Sequence, residues 1–325
     1  MITGATSEEL AERFESRAMG SPLRLIVGDG ATRTDHRTRR WRSVVAEFEA
    51  AEAAMSRFRD TSELTVLNRN AGSGVAMPTS ARLRRALVAA DRAYRVTGGR
   101  FDPRVLAHLD RLGYRGALVG DGAARSDGGV RQRRARSPGP VVERVGRDRL
   151  VLAQAVDLGG IGKGLALRWA AARLSTDGAG DFMLEAGGDL VTRGRSLDGG
   201  SWRLGIEDPC GGPTPLAVVA VSDLSLATSS TRVHRWTVDG RTVHHLLDPR
   251  TGEPADGGLA AVTVAGPDPA WAEVWSKALF VSGRTGIVAE ARSRGLAAWW
   301  VADDGTLEMT AAARSLTVWV AAEAG

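Results

Sequence analysis

Cysteine, aromatic side chains and long apolar runs are scarce in this 325-residue sequence. The one cysteine, Cys210, excludes an internal disulfide and a cysteine-based metal cluster, and we expect it to be a small apolar filler. No segment is long enough to span a membrane as an apolar helix. The first twenty residues also lack the apolar run of a signal peptide. These absences predict a cytoplasmic protein without a membrane span.

Basic residues exceed acidic ones, giving a formal net charge of +5. Much of the excess lies in one arginine-rich stretch among Gly, Ser and Pro, with no aromatic side chain near it. Nucleic-acid binders combine such charges with aromatic residues or place them on a helix face. The pattern therefore favours a solvated loop over 118–148 and no nucleic-acid partner.

Helical patterns crowd the first third of the chain, and strand patterns dominate after the loop. Helical spacing appears in four places besides a short amphipathic stretch at 7–18: residues 40–58, 79–97, 164–174 and 270–282. The later strands are separated by Gly and Pro, and Asp239-Gly240 predicts a hairpin. This order predicts an α+β fold, not a doubly wound parallel sheet.

A glycine-rich turn with one lysine, VDLGGIGKGLALRWAAARL (156–174), precedes the third of these helices. A P-loop would need glycine where Asp157 stands and Ser or Thr where Gly164 stands, so that motif is absent. Glycines still let backbone N–H groups approach an anion, and a helix start adds partial positive charge. The turn is thus either a phosphate site or a tight connection with an exposed lysine.

Three further turns carry glycines, hydroxyls or histidines: LEAGGDL (184–190), ATSSTR (227–232) and HHLLDPRTGEP (244–254). Successive strand residues face opposite ways, so only one of the paired histidines can face a site. A structural hairpin explains the pair equally well. Taken together, the four turns indicate one cleft for a large phosphorylated ligand.

The order of these motifs resembles the ApbE family, the FAD:protein FMN transferases, from about residue 17 to 320. The matching stretches are RAMGSPLRLIV (17–27), MSRFRDTSELTVLN (55–68), GGRFDPRV (98–105), VDLGGIGKG (156–164), LEAGGDL (184–190), WRLGIEDP (202–209), ATSS (227–230) and HHLLDPRTGEPA (244–255). Phe58 stands where the family has Tyr, and Gly162 where it usually has Ala.

The resemblance implies one ApbE-like domain over 1–325, with mixed and antiparallel sheets, flanking helices and a central FAD cleft. Two lobes, roughly 1–115 and 149–325, would flank the loop. It also implies a transferase that cleaves FAD, moves FMN to a Ser or Thr hydroxyl of a target flavoprotein and releases AMP. Mg²⁺ would bridge the phosphate oxygens.

Carried onto this sequence, the motifs imply a set of site residues. Lys163 and His245 would act on the diphosphate, and a carboxylate or a histidine near the ligand, with Asp248 as our candidate, would help to deprotonate the acceptor hydroxyl. Gly162 would offer a carbonyl, and Glu273 a carboxylate, to the metal. The residues expected to bind FAD are Met19, Phe58, Asp102, Asp157, Lys163, Glu185, Gly187, Gly188, Asp189, Thr228, Ser229, His245, Arg250, Thr251 and Lys277.

The stretch that matches the family's metal-binding helix, AEVWSKAL (272–279), departs from the pattern. Glu273 replaces an Asp ligand and Lys277 replaces a Thr ligand, yet an ammonium has no lone pair for a metal. Arg168 also stands where the family has Asp. Either Lys277 supplies a counter-charge in place of the ion, which we favour, or it forms a surface salt bridge with Glu273 and the metal binds elsewhere.

The sequence leaves other functions open. A chain that lost turnover through Lys277 would bind FAD without transferring FMN. A chain that used water as acceptor would hydrolyse the FAD pyrophosphate, and a related nucleotidyl-type transfer to another acceptor is also possible. An interaction scaffold is the fourth alternative.

Overall fold

The structure is a computed structural model that describes residues 12–28, 34–114 and 139–321. Within these ranges it contains seven α-helices: α1 Thr34–Met55, α2 Glu63–Arg69, α3 Ala81–Val96, α4 Leu106–Arg111, α5 Gly162–Thr176, α6 Pro269–Ser293 and α7 Ala311–Arg314. A 3₁₀ turn, Pro103–Val105, precedes α4. None of the described helices has the length and apolarity needed to cross a membrane.

The described residues also form eighteen strands, most of them short. They are β1 Glu12–Ala18, β2 Ser21–Val27, β3 Met77–Pro78, β4 Glu143–Val145, β5 Arg149–Val151, β6 Phe182–Ala186, β7 Asp189–Arg193, β8 Trp202–Ile206, β9 Ala217–Val221, β10 Ser225–Ser230, β11 Arg235–Val238, β12 Arg241–His244, β13 Leu247–Asp248, β14 Glu253–Pro254, β15 Leu259–Gly266, β16 Ala297–Ala302, β17 Leu307–Met309 and β18 Thr317–Val320.

An eight-stranded antiparallel sheet organises the molecule, with strand order β1-β2-β6-β7-β10-β15-β16-β17. Its first two strands come from the start of the chain and its last two from near the end. The predicted α+β class is therefore confirmed, and strands from both predicted lobes share one sheet. The division into lobes stays a prediction.

The two faces of the sheet are covered differently. Alternate residues of β2 (Leu23, Leu25 and Val27) are fully buried in the main core with side chains of α1, α3 and α5. On the other face, Ile26 and Met183 pack with the three-stranded sheet β18-β9-β8. Helices on one side and a small sheet on the other follow from the period-two alternation of the strands.

Side-chain caps set the starts of four described helices, and Thr310 is the cap of α7. Ser62 and Ser80 accept hydrogen bonds from backbone N–H groups three residues later, at the starts of α2 and α3. Asp268 caps α6 and is followed by Pro269, which suits the first helical position. This last cap matters for function, because α6 carries two of the candidate site residues.

The helix predicted at 7–18 is wrong where the structure describes it, since Glu12–Ala18 forms β1. Met19 and Gly20 both have positive φ, 50° and 74°, so they form a tight turn that pairs β1 with β2. Pairing in a hairpin thus overrides the helical propensity of the segment. The predicted cap Ser7 lies outside the described residues.

Other sequence predictions have mixed outcomes. The hairpin around Asp239-Gly240 is confirmed by the pairing of β11 with β12. Cys210 is exposed and does not fill the core. The end of the predicted loop is ordered as β4, which pairs with β5; residues 118–138 lie outside the described residues.

Candidate functional site

The glycine–lysine turn leads straight into α5, so Lys163 is the second residue of that helix. The preceding residue, Ile161, provides no side-chain cap for the helix N-terminus. An acceptor comes instead from α6, because the backbone N–H of Gly164 donates to Glu273 Oε2 at 2.8 Å. A carboxylate at a helix N-terminus is stabilised by the helix dipole.

Close packing of α5 on α6 brings these two residues together. A Cβ added to Gly164 would lie 2.5 Å from Ala270 Cα and 2.6 Å from the Pro269 carbonyl oxygen, closer than real Cβ contacts. Glycine is therefore required for the helices to approach this closely. The contact aligns Glu273, one turn into α6, with the start of α5.

Lys163 joins two buried carboxylates. Its ammonium donates to Asp189 Oδ2 and, at 3.0 Å, to Glu273 Oε1. The carboxylate side chains are 3% and 1% exposed, whereas the Lys163 side chain is 23% exposed. The other oxygen of Asp189 accepts the backbone N–H of Thr228 at 3.1 Å. The lysine of the turn is therefore not a freely exposed surface residue.

A second lysine contacts the same carboxylate. Lys277 Nζ lies 3.5 Å from Glu273 Oε1, and its side chain is 18% exposed. A Cβ on Gly160 would lie 3.0 Å from Lys277 Cδ and 2.8 Å from a ring carbon of Phe101, so the Lys277 stem runs along the glycine turn. The interpretation of this pair as a surface salt bridge is wrong, because Glu273 is buried.

The charges of this cluster stabilise one another. Burial lowers the pKa of Lys163, but the attraction of Asp189 and Glu273 outweighs it, so the net shift is upward. Burial raises the pKa of Glu273, but Lys163, Lys277 and the Gly164 N–H together hold it below its ordinary value. Lys163 and Glu273 are thus charged at neutral pH.

A second group of residues, around Arg57 and Tyr114, lies next to the cluster of Lys163, Lys277 and their carboxylates. Arg57 Nε lies 2.5 Å from Asp157 Oδ2, and its guanidinium sits over the rings of Phe58 and Tyr114, 4.3 and 5.1 Å from their centroids. Phe58 is 54% exposed. Burial, chiefly, and the charge of Asp157 raise the pKa of Tyr114 to about 12. Lys163 opposes that shift, so the two groups sense each other electrostatically.

Two histidines lie beside Tyr114, the His245 ring stacked on it and the His234 ring edge-on to it. His234 and His245 have ring centroids 4.8 Å apart, and the His245 ring lies 6.1 Å from that of Tyr114. Burial lowers the pKa of His234, with Lys163 and Lys277 adding to the effect. Burial, His234 and Lys277 hold the pKa of His245 well below its ordinary value. Both rings are neutral at pH 7.

Neither Tyr114 nor His234 is predicted from the sequence as a site residue. A signal for His234 was available, because a two-residue turn at Asp239-Gly240 pairs Arg235 with His244, which places His234 beside His245. Tyr114 immediately precedes the undescribed segment and lies in no motif. Its burial against Trp236 depends on tertiary packing, which the sequence pattern does not reveal.

The predicted residues of the β6–β7 turn lie beside the lysine. Gly187 and Gly188 have positive φ, 61° and 89°, and their turn places Asp189 at the start of β7. A Cβ on Gly187 would lie 3.9 Å from Lys163 Cδ. Met19 borders the same place, because its Cε would lie 3.5 Å from a Cβ on Gly162.

The remaining predicted residues are engaged in pairs and turns of their own. Ser229 shares a 2.8 Å hydrogen bond with Ser276 of α6. Asp102 pairs with Arg104 at 2.8 Å, and Glu185 lies 3.5 Å from Arg24. Asp248 binds Arg250 at 2.7 Å, and the backbone N–H of Thr251 donates to the Asp248 carbonyl. Their roles toward FAD stay predictions.

The residues present do not fit a magnesium ion at the predicted place. Both oxygens of Glu273 already accept hydrogen bonds or ion pairs, and Lys277 offers donors only. Across residues 12–28, 34–114 and 139–321, no three His, Cys, Asp or Glu side chains form a group suited to a metal. Arg168 pairs with Asp268 at 2.6 Å and is not a free cation at the turn.

Two curated relatives share sequence with most of this chain. A protein of Haemophilus influenzae is 26% identical over 89% of this chain and 85% of its own length. A protein of Treponema pallidum is 31% identical over 73% of this chain and 69% of its own length. Both are named FAD:protein FMN transferase.

The fold has counterparts among solved structures. The ApbE protein of Thermotoga maritima superposes with a TM-score of 0.79 at 22% identity, covering 94% of this chain and 99% of that one. This similarity confirms the predicted ApbE-like fold. The model of the ApbE family matches residues 19–300. The chain therefore belongs to the ApbE family.

Proposed function

We propose that this protein is an FAD:protein FMN transferase, which attaches FMN to a Ser or Thr hydroxyl of a target flavoprotein and releases AMP. The acceptor oxygen forms a bond to the phosphorus on the FMN side of the FAD diphosphate. The bond from that phosphorus to the bridging oxygen breaks, and AMP leaves with the bridging oxygen. The acceptor hydroxyl loses its proton.

The observation that carries this proposal is the pair of ammonium groups at the start of α5. Lys163 and Lys277 are both partly exposed and both contact the buried carboxylate of Glu273, and Lys277 lies against Gly160 in the glycine turn. Phosphoryl transfer needs little covalent help from a protein and depends mainly on positioning and charge stabilisation. Fixed cations beside a glycine turn at a helix N-terminus provide both for a diphosphate.

His245 is the side chain best suited to accept the proton of the acceptor hydroxyl. Its ring is neutral at pH 7, and its buried Nδ1 has no hydrogen-bond partner in the part of the chain that the structure describes. Asp248, our other candidate, binds Arg250 instead. A general base of this kind contributes roughly 10²–10⁴-fold to a rate.

The test is incubation of the purified protein with FAD and a peptide that carries a Ser or Thr acceptor. We expect AMP in solution and a peptide heavier by FMN less one water, measured by chromatography and mass spectrometry. The variant His245→Gln should transfer about 10²-fold or more slowly. His36→Gln, which changes an exposed histidine on α1, serves as the matched control.

Other outcomes would assign other functions. Tight binding of FAD without AMP would identify a flavin-binding protein without turnover. AMP together with free FMN and an unmodified peptide would identify a pyrophosphatase. The identity of the acceptor and a cytoplasmic location remain predictions.

A further inference from the structure

Lysine is almost absent from this chain, although basic residues are common. Of the 43 lysine and arginine residues, only Lys163 and Lys277 are lysines. Both contact the same oxygen of Glu273, at 3.0 and 3.5 Å. A chain that uses arginine at every other basic position therefore places its two lysines together, 114 positions apart in sequence, at one buried carboxylate.

The geometry at both positions suits a compact ammonium group. The Lys277 stem lies against Gly160, where an added Cβ would be 3.0 Å from Lys277 Cδ and 3.3 Å from Lys277 Cε. The Lys163 ammonium fits between the carboxylates of Asp189 and Glu273 and contacts both. An ammonium is a compact point charge with three donors, whereas a guanidinium is a wide planar fork.

The exposed side of this cluster is positive. The carboxylates of Asp189 and Glu273 are almost fully buried, but a fifth of each lysine side chain reaches the surface. A solute that approaches from the surface thus meets the two lysine side chains before the carboxylates. The start of α5 adds the partial positive charge of its helix dipole on the same side.

Such a surface favours an anion over a divalent cation. A cation would be repelled by two ammonium groups and would find the oxygens of Glu273 already occupied. An anion can accept hydrogen bonds from the ammonium groups while these keep their contacts to Glu273, because each ammonium has three donors.

We infer that Lys163 and Lys277 form a metal-independent site for the diphosphate group of the substrate, in which Lys277 takes the place of a divalent cation. Lys277 thereby acts as a binding residue toward the phosphate oxygens. The inference rests on the proposed function for the identity of the substrate, but the site itself can be tested with inorganic pyrophosphate.

The scarcity of lysine provides a direct readout. An amine-acetylating reagent can modify only Lys163, Lys277 and the α-amino group, and mass spectrometry separates the three. With EDTA present, we expect pyrophosphate to slow the acetylation of Lys277 at least fivefold and to leave the α-amino group unchanged. Equal labelling with and without pyrophosphate would overturn the inference, as would protection that appears only after Mg²⁺ is added.

Calorimetry on variants tests the role of Lys277 separately. In EDTA, Lys277→Met should weaken pyrophosphate binding at least tenfold. The control Arg292→Met removes the same charge from an exposed position of α6 beyond the kink at Gly283 and should change the affinity less than twofold. Unchanged binding by folded Lys277→Met contradicts the inference. If that variant fails to fold, acetylation of the wild-type protein with and without pyrophosphate still tests the inference.

Failure of this site and failure of the proposed function give different results. Pyrophosphate binding in EDTA without FMN transfer would sustain the anion site and reject the transferase. FMN transfer that requires Mg²⁺, with no pyrophosphate binding in EDTA, would sustain the transferase and reject the metal-independent site.

Discussion

At the residue scale, Lys163 is the counter-charge on which two buried carboxylates depend. Replacing it by Met would leave Asp189 with no ammonium contact and Glu273 with only the longer one to Lys277. Breaking a buried ion pair costs about 3–5 kcal/mol, because the remaining charge stays uncompensated. We expect Lys163→Met to lower the free energy of unfolding by about that amount, measured by urea denaturation. Arg292→Met is the control, and equal stability of the two variants would contradict the expectation.

The substituted α6 residues predict a gain of metal binding on reversal. In Glu273→Asp with Lys277→Thr, the ammonium is removed and a hydroxyl and a shorter carboxylate are introduced. Oxygen donors of this type suit Mg²⁺. Calorimetry with Mg²⁺ alone should show binding by the double variant at Mg²⁺ concentrations below about 1 mM, as for a weak site. The wild-type protein should show no binding in that range. Sub-millimolar binding by the wild-type protein would contradict this expectation.

The neighbouring histidines His234 and His245 predict a pH dependence of stability. The folded pKa values of His234 and His245 lie below the unfolded value, about 6.5. At pH values between the folded and the unfolded pKa, the unfolded chain therefore binds more protons than the folded chain. The stabilisation is complete above about pH 6.5 and is lost as the pH falls, by up to about 1.4 kcal/mol per pH unit for each histidine.

Urea denaturation at pH 7.5 and pH 5.5 measures this loss. Carboxylates contribute to the same trend, so the informative quantity is the difference between variants. We expect His234→Gln with His245→Gln to lose less stability between the two pH values than the wild-type protein does. His36→Gln should behave like the wild-type protein, and an unchanged loss in the double variant would refute the assignment.

At the residue scale, part of the candidate site could be predicted from the sequence and part could not. The motifs identified Lys163, Glu273 and Lys277, and the i, i+4 spacing anticipated the contact between the last two. The pairing of Lys163 with Glu273 links positions 110 residues apart. That contact depends on how two helices cross, which no local pattern encodes.

At the element scale, the crossing of α5 and α6 controls the position of Glu273. A methyl group at Gly164 would collide with backbone atoms of Pro269 and Ala270, which cannot rotate away. Overpacking of this kind costs about 1–3 kcal/mol. We expect Gly164→Ala to lower stability by that amount and to weaken FAD binding, measured by urea denaturation and calorimetry.

A glycine without close neighbours supplies the control for that variant. A Cβ on Gly266 of β15 would meet no atom within 4 Å, so Gly266→Ala should change stability by less than about 0.5 kcal/mol. If both glycine variants behave alike, the close helix contact does not position the site.

Most elements were predictable because their signals are local. The helical spacing of α1, α3, α5 and α6 and the turn residues of the β11–β12 hairpin all gave the correct type of structure. The error at β1 has a physical cause, since a strand that is held by its partner can form against its own helical propensity.

At the scale of the whole molecule, the eight-stranded sheet joins the two ends of the chain. β2 pairs with β6 across more than 150 residues, and the main core contains side chains from both sides of the undescribed segment 115–138. We expect one cooperative unfolding transition, with coincident curves from circular dichroism and tryptophan fluorescence. Two separated transitions, or a fragment 1–114 that folds alone, would show that the two lobes are independent domains.

The placement of both lysines at one carboxylate also affects proteolysis. An endoprotease that cleaves only after lysine has two possible cut sites in this chain, and both are held in the folded cluster on Glu273. Cleavage into fragments 1–163, 164–277 and 278–325 therefore requires α5 or α6 to open. The rate of that digestion measures how often the proposed substrate site unfolds locally while the rest of the protein stays native.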